Sequence, residues 1–540
     1  MEGLMQHDRP LTVQTILDRM RTVNAASVVT TLRSPGHLDT ATYGDVAART
    51  DKLVGALRSL GVRPGDRVAT LMWNTQEHLE LYFAVPAMGA VLHTLNLRLH
   101  PDQLSYIANH AEDKIVFVSE SLIPLLASIR PRLATVEHVV VVGDGAADEL
   151  GDVLRYESLI ASAGDEVAYP DLDERSAAVL CYTSGTTGSP KGVLYSHKSS
   201  VLHAMAASMA DTFGVGSRDR VLPVVPMFHV NAWGLPYAAG LTGASLVMPS
   251  QFLQAEPLVG LIESQKVTLA AGVPTIWYDI LRFADGASPD LSSLRMVPCG
   301  GSAVPRSLME AFEERHGVRV VQAWGMTETS PLGAVAIPPA GVEGEEEWGF
   351  RTSAGRVSPL VDVRIVADDG TELPWDGVST GEMEVRGPWI ASAYYRDTAP
   401  DKFHDGWLRT GDVASIAQGG YIRIADRAKD VIKSGGEWIP SLAVENELMA
   451  HPDVLEAAVI AKPDDRWGER PLACVVHEPN GAATAEELAA HLRERIAKWW
   501  VPEEFAFIEV VPKTSVGKFD KKVLRQMLAK GHFDNAIVRA

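Results

Sequence analysis

Three short runs, Lys114 to Val118, His138 to Val142 and Ala177 to Tyr182, are apolar at almost every position and stand between stretches of helical periodicity. A strand that is apolar on both sides must be covered on both faces. Parallel or mixed sheets flanked by helices provide that cover. The pattern continues from about Leu11 to Ile424, then changes near Asp426, where the polar segment Ala425 to Asp430 follows a strand-like Tyr421 to Ile424. Beyond it lies a compact mixture of short strands and helices. One helix start is explicit there: Thr484-Ala-Glu-Glu487 reads as a capping box, with Leu488, Leu492 and Ile496 following at spacing four. A chain of 540 residues with 46% apolar content exceeds one ordinary domain. The expected fold is α/β: a large N-terminal domain of mixed and parallel sheets covered by helices (1–425), a polar hinge (426–430) and a small α+β C-terminal domain (431–540).

Charge narrows the partners. With 49 basic and 69 acidic residues the net charge is −20, and no basic tail or cluster stands out. This argues against nucleic acid and against tight binding to anionic lipid. The stretch Val221–Ala255 holds no Asp, Glu, Lys or Arg, but Pro223, Pro226, Pro236, His229 and Asn231 interrupt it. A membrane span needs about 20 continuous apolar residues. The stretch therefore reads as buried strands and turns lining an apolar cavity, with no span and with room only for peripheral membrane contact. Glu345-Glu-Glu347, flanked by glycines, reads as a solvated loop. Cys181, Cys299 and Cys474 are far apart, with neither disulfide nor metal spacing. No signal-peptide pattern opens the sequence, and no retention, peroxisomal or prenylation motif closes it. A cytoplasmic location is the expectation.

The strongest local signal is Tyr182-Thr-Ser-Gly-Thr-Thr-Gly-Ser-Pro-Lys-Gly192. Glycines let backbone N–H groups approach phosphate oxygens, hydroxyls donate, and Lys191 supplies charge. It is not a Walker A loop, because Gly-x4-Gly-Lys-Ser/Thr does not occur, and kinase motifs are missing too. The loop resembles the signature of the adenylate-forming superfamily: acyl-CoA synthetases, peptide-synthetase adenylation domains and luciferases. Four further motifs fall in that family's order: Trp324 to Pro331, Gly406 to Asp412, Asp426 to Asp430 with Lys433 to Glu437, and Pro512 to Lys518. Val225 to Trp233 and Ser434 to Ile439 look most like bacterial medium- and long-chain fatty acyl-CoA synthetases.

That resemblance implies a two-step reaction: a carboxylate attacks the α-phosphate of ATP, and a thiol then attacks the acyl-adenylate. It implies ATP, Mg²⁺ and CoA, small-molecule partners and a homodimer. Lys518 would be the main catalytic cation, as a compact point charge reaching the carboxylate and α-phosphate. Glu328, with Thr183, would hold Mg²⁺, which takes few protein oxygens beside phosphates and water. Thr183, Ser184, Gly185, Thr186, Thr187, Gly188 and Lys191 would cradle phosphates. Trp324, standing where the family more often has Tyr, would stack on adenine, beside Gly325, Met326 and Thr327. Asp412, assisted by Arg427, would accept the ribose hydroxyls. Gly300, Gly301, Ser302 and Ala303 would pass close to adenine and the acyl carboxylate. Trp233 would gate an acyl tunnel, with His229 near the thiol entry. Lys433, Gly435, Gly436 and Trp438 would serve the CoA arm, the glycines leaving its channel open.

The resemblance makes a fatty acyl-CoA synthetase the first reading. An acyl-AMP ligase that loads a carrier protein, and a CoA ligase for a small or aromatic acid, stay open beside it. A non-catalytic nucleotide sensor is opposed by the joint presence of Lys518, Glu328, Asp412 and Lys191.

Overall fold

The computed structural model describes residues 6, 8–164, 167–183, 189–427, 430, 432–434, 437–464, 466–514, 518–533 and 536–540. Ser184 to Gly188, Gly435 and Gly436, named above for phosphate and CoA binding, lie outside them, as does the side chain of Trp438.

The apolar runs become the strands they predict. Asp113–Ser119, His138–Val142 and Ala177–Tyr182 belong to a seven-stranded sheet, parallel except for the edge strand Gly192–Ser196. A five-stranded sheet holds Arg220–Pro223, Ser245–Met248 and Val28–Ser34 in parallel. Between these layers lies the helix Gln76–Ala87, in which every residue is buried. Its charges are all answered: Glu77 by Arg33 at 2.6 Å and Glu80 by Arg49 at 2.7 Å. A helix buried on all sides needs such partners, because an unpaired buried charge is costly.

A nine-stranded mixed sheet follows. Its central strands, Val320–Gly325, Leu332–Val335, Tyr421–Arg427 and Trp407–Ala417, carry the later motifs. The last sheet, six-stranded, starts at Ile432–Ser434 and ends at Ile537–Arg539, with its own apolar core and the helices Ser441–Met449, Ala485–Arg493 and Lys521–Ala529. The capping box at Thr484 is formed, Glu487 N–H donating to Thr484 Oγ1 at 3.3 Å.

Two expectations are corrected. Glu345 to Glu347 form the first turn of the helix Gly344–Arg351, not a loop. Acidic side chains suit the positive end of a helix, and Arg306 lies 2.7 Å from Glu345. The charge-free stretch from Val221 is also more than strands and turns: Leu235–Thr242 is a helix, opened by Pro236 in its first turn and stopped by Gly243 at φ +88°. At the expected hinge, Asp426 and Arg427 are still strand, paired with Val413 and Asp412. No helix among the described residues is long and apolar enough to cross a membrane, and all three cysteines are buried and reduced.

Candidate active site

The later motifs converge on one cavity of about 1290 Å³ at the junction of the nine-stranded sheet and the C-terminal sheet unit. Trp324 and Arg427 stand at or beside strand ends, Asp412 within the strand Trp407–Ala417, and Lys518 in a loop of the C-terminal unit. Thr183 follows the strand Ala177–Tyr182 and Lys191 precedes Gly192–Ser196, two strands that pair antiparallel. The two residues are joined twice: Thr183 N–H donates to Lys191 O at 2.9 Å, and Lys191 N–H to Thr183 Oγ1 at 3.1 Å. Gly192 permits this, since a Cβ there would stand 3.0 Å from the Cβ of Tyr395. The Lys191 ammonium lies 2.5 Å from Asp397, whose carboxyl it holds below the usual range.

Trp324 ends the strand Val320–Gly325, and Glu328 sits in the tight turn Thr327–Thr329 just beyond. Glu328 is buried and accepts a 2.7 Å hydrogen bond from the Tyr394 hydroxyl, while Tyr195 donates to Thr327 O at 2.7 Å. Burial, and then Glu328, push the Tyr394 phenol well above its ordinary pKa, so it stays protonated as a donor. Asp412 is 2% exposed. Its Oδ2 accepts from the Trp324 indole N–H at 2.9 Å, and its Oδ1 lies 2.7 Å from Arg427 Nε. Met326 and Thr327 complete this wall.

The opposite wall is the turn after Val297–Gly300. A Cβ at Gly300 would stand 2.6 Å from Ala323 O and 3.4 Å from the Trp233 ring. A Cβ at Gly301 (φ +90°) would stand 3.6 Å from Lys518 Cε. Lys518, carried by the C-terminal unit, thus reaches into the cavity over Gly301, with Ser302 and Ala303 beside it.

His229 and Trp233 close the apolar end, near Phe228 and Val273. Burial first, and then Lys518 and Arg98, push the His229 pKa down to about 3, so its imidazole is neutral at physiological pH. Val230, Asn231, Ala232 and Trp233 hold φ of 47°, 52°, 48° and 56°, a left-handed turn of four non-glycine residues ending at Gly234. Such geometry costs roughly 1–2 kcal/mol per residue.

Lys433 is not brought to the cavity. It is exposed, its N–H donates to Glu469, and its backbone pairs with Trp438 in the C-terminal hairpin. Two cavity residues, Arg98 and Tyr394, and the Lys191 partner Asp397 went unread in the sequence. Arg98 had a signal, as the one Asp, Glu, Lys or Arg in the sequence between Val91 and Leu99. Tyr394 and Asp397 had none, because their roles depend on a loop folding back onto Glu328 and Lys191. Among the described residues no cluster of three or more His, Cys, Asp or Glu forms a metal site. A buried carboxylate with a neighbouring hydroxyl fits Mg²⁺, which draws most ligands from phosphate and water.

Comparisons with known proteins bear on the family. A family model described as AMP-binding enzyme matches residues 20–395, and one described as AMP-binding enzyme C-terminal domain matches 443–518. A long-chain-fatty-acid–CoA ligase of Thermus thermophilus is 46% identical over 527 residues, covering 96% of each chain. A 3-methylmercaptopropionyl-CoA ligase of Ruegeria pomeroyi is 43% identical over 532 residues, covering 97% of this chain and 98% of that protein. The crystal structure of an anthranilate CoA ligase in complex with anthranoyl-AMP superposes with a TM-score of 0.88 at 27% identity, covering 98% of this chain and all (100%) of the other. With motifs, cavity and near-full-length relatives in agreement, the chain belongs to the AMP-binding, adenylate-forming enzyme family.

Proposed function

We propose that this protein is an ATP-dependent acyl-CoA ligase that activates a fatty acid as its acyl-adenylate and passes the acyl group to CoA, releasing AMP and pyrophosphate. The observation that carries this reading is the approach of Lys518 to Gly301 in the cavity that Asp412, His229 and Trp233 also line. A carboxylate nucleophile and a triphosphate repel each other. An ammonium placed where they meet neutralises the charge that builds up at the α-phosphate. Trp324, Asp412 and Arg427 take the nucleoside. Thr183, Lys191 and the loop between them take the phosphates. Glu328, held by Tyr394, and Thr183 are the residues to bind Mg²⁺, which when bound supplies charge neutralisation at the phosphates.

For the second step the small domain, 431–540, turns about the hinge 426–430. This removes Lys518 from the cavity and brings Gly435 and Gly436 to the thiol route. The enzyme works in the cytoplasm as a homodimer. Acid identity is tested with a panel from 3-methylmercaptopropionate to long-chain fatty acids, assayed for AMP formation with ATP, Mg²⁺ and CoA. Turnover of aliphatic chains is expected. Turnover confined to short sulfur-containing or aromatic acids would favour the small-acid reading. Acyl transfer to a carrier protein but not to CoA would replace the acceptor.

Trp233→Ala tests the gate. A merely packed indole would cost about 3–5 kcal/mol of stability and lower activity on all acids alike. In the gate reading Trp233 is a side chain with a second position, which the acid or the nucleotide selects. The variant is expected to bind acid without a non-hydrolysable ATP analogue and to shift its chain-length preference. An earlier melt with an unchanged profile would make Trp233 core.

A further inference from the structure

We propose that Trp324 is a positioning residue for ribose recognition: its indole N–H holds the Asp412 carboxylate in the orientation that accepts the nucleotide's hydroxyls. The proposal rests on the reading of Asp412 as the ribose acceptor.

The argument begins with two strands. Trp324 and Gly333 lie on the neighbouring antiparallel strands Val320–Gly325 and Leu332–Val335. A Cβ at Gly333 would stand 2.2 Å from Trp324 Cζ3 and 2.4 Å from Cε3. The benzo edge of the indole therefore rests directly on the Gly333 backbone, in space that any larger residue would occupy. With that edge fixed, the pyrrole N–H is aimed at Asp412 Oδ2, 2.9 Å away. Arg427 Nε holds the other oxygen at 2.7 Å.

A carboxylate oxygen accepts more than one hydrogen bond, so two donors leave acceptor capacity on the side of Asp412 that lines the cavity. Each donor restricts rotation of the carboxyl plane. Their joint effect is a carboxylate set in place before the nucleotide arrives, and such preorganisation is realised as affinity. Phenylalanine at 324 keeps a ring and supplies no donor. Tyrosine supplies a hydroxyl at the far end of its ring, in place of an N–H on the edge.

The test compares ATP with 2′-deoxy-ATP and 3′-deoxy-ATP in the full-length enzyme. The wild type should prefer ATP. Trp324→Phe should raise KM for ATP roughly tenfold, the scale of a hydrogen bond to a charged group, and raise it far less for the analogue whose hydroxyl Asp412 accepts, so that ribose discrimination collapses. A thermal melt accompanies each variant. Gly333→Ala provides a second route, since it displaces the indole without removing the N–H. It should reproduce the loss of discrimination when Trp324 is present and add little in the Trp324→Phe background. An equal rise in KM for ATP and both analogues would overturn the proposal, reducing Trp324 to a stacking surface. A Gly333→Ala enzyme with intact discrimination would overturn it as well. A wild type indifferent to both hydroxyls would refute the ribose reading of Asp412 itself, an outcome distinct from the other two.

Discussion

Replacing Lys518 with alanine will slow pyrophosphate release from acid and ATP by about 100- to 1000-fold, the usual loss when one preorganised charge-stabilising donor is removed. Thioester formation from supplied acyl-adenylate will stay within about threefold of the wild type, less than 1 kcal/mol. The asymmetry follows from position. Lys518 enters the cavity over Gly301, whose missing side chain leaves 3.6 Å between a built Cβ and Lys518 Cε. Its charge matters where two anions are pressed together, and the second half-reaction attacks a carbonyl whose phosphate is already leaving. Rapid-quench measurement of each half-reaction is the check. Equal losses in both would remove Lys518 from its assigned role.

Lys521→Met will act on stability, although the two lysines stand in one short segment. Lys521 is buried, 2.7 Å from Glu445 and 2.5 Å from Ser441 Oγ. Ser441 in turn donates its N–H to Asp426 at 2.7 Å. One ammonium thus answers two buried carboxylates, and its removal leaves both uncompensated, at about 3–5 kcal/mol. Burial raises the carboxyl pKa of Asp426 and takes that of Glu445 to about 7. A carboxyl raised above its unfolded value contributes stability that is full below the ordinary carboxylate range and is lost as pH rises through about 7. Burial lowers the Lys521 pKa, but Glu445 and then Asp426 outweigh it and raise the value overall, so between pH 5 and 8 the carboxyls govern. The helix Ser441–Met449 should therefore show lower protection factors, its amide exchange rates corrected for the intrinsic base-catalysed rate, at pH 8 than at pH 5.5. Glu445→Gln should flatten that dependence. A Lys521→Met protein as protected as the wild type would show that the cluster carries no stability.

Most of the architecture was legible because its signals are local. The apolar runs at Lys114, His138 and Ala177 specify strands, and the Thr484 capping box specifies a helix start, whatever surrounds them. The meeting of motifs was legible: Trp324, Glu328, Asp412, Arg427 and Lys518 line one cavity. What stayed hidden was relational. Tyr394 meets Glu328 and Asp397 meets Lys191 across long sequence separations, and neither contact leaves a mark on its own segment. The left-handed turn before Gly234 was nearly as silent: of Val230, Asn231, Ala232 and Trp233 only Asn tolerates positive φ well, and one such residue does not announce a run of four. Nothing in the sequence marks Gly333, whose missing side chain makes room for the indole of Trp324. Lys433 shows the reverse case, a motif residue that the structure leaves at the surface.

The central claim, that this cavity joins a carboxylate to the α-phosphate of ATP, is tested most directly by following oxygen. A fatty acid labelled with ¹⁸O in both carboxyl positions is turned over with ATP, Mg²⁺ and CoA, and the nucleotide product is weighed by mass spectrometry. The account predicts AMP carrying one labelled oxygen, formed in equal amount to acyl-CoA and pyrophosphate. Unlabelled AMP, or label in orthophosphate with ADP as the nucleotide product, would contradict it.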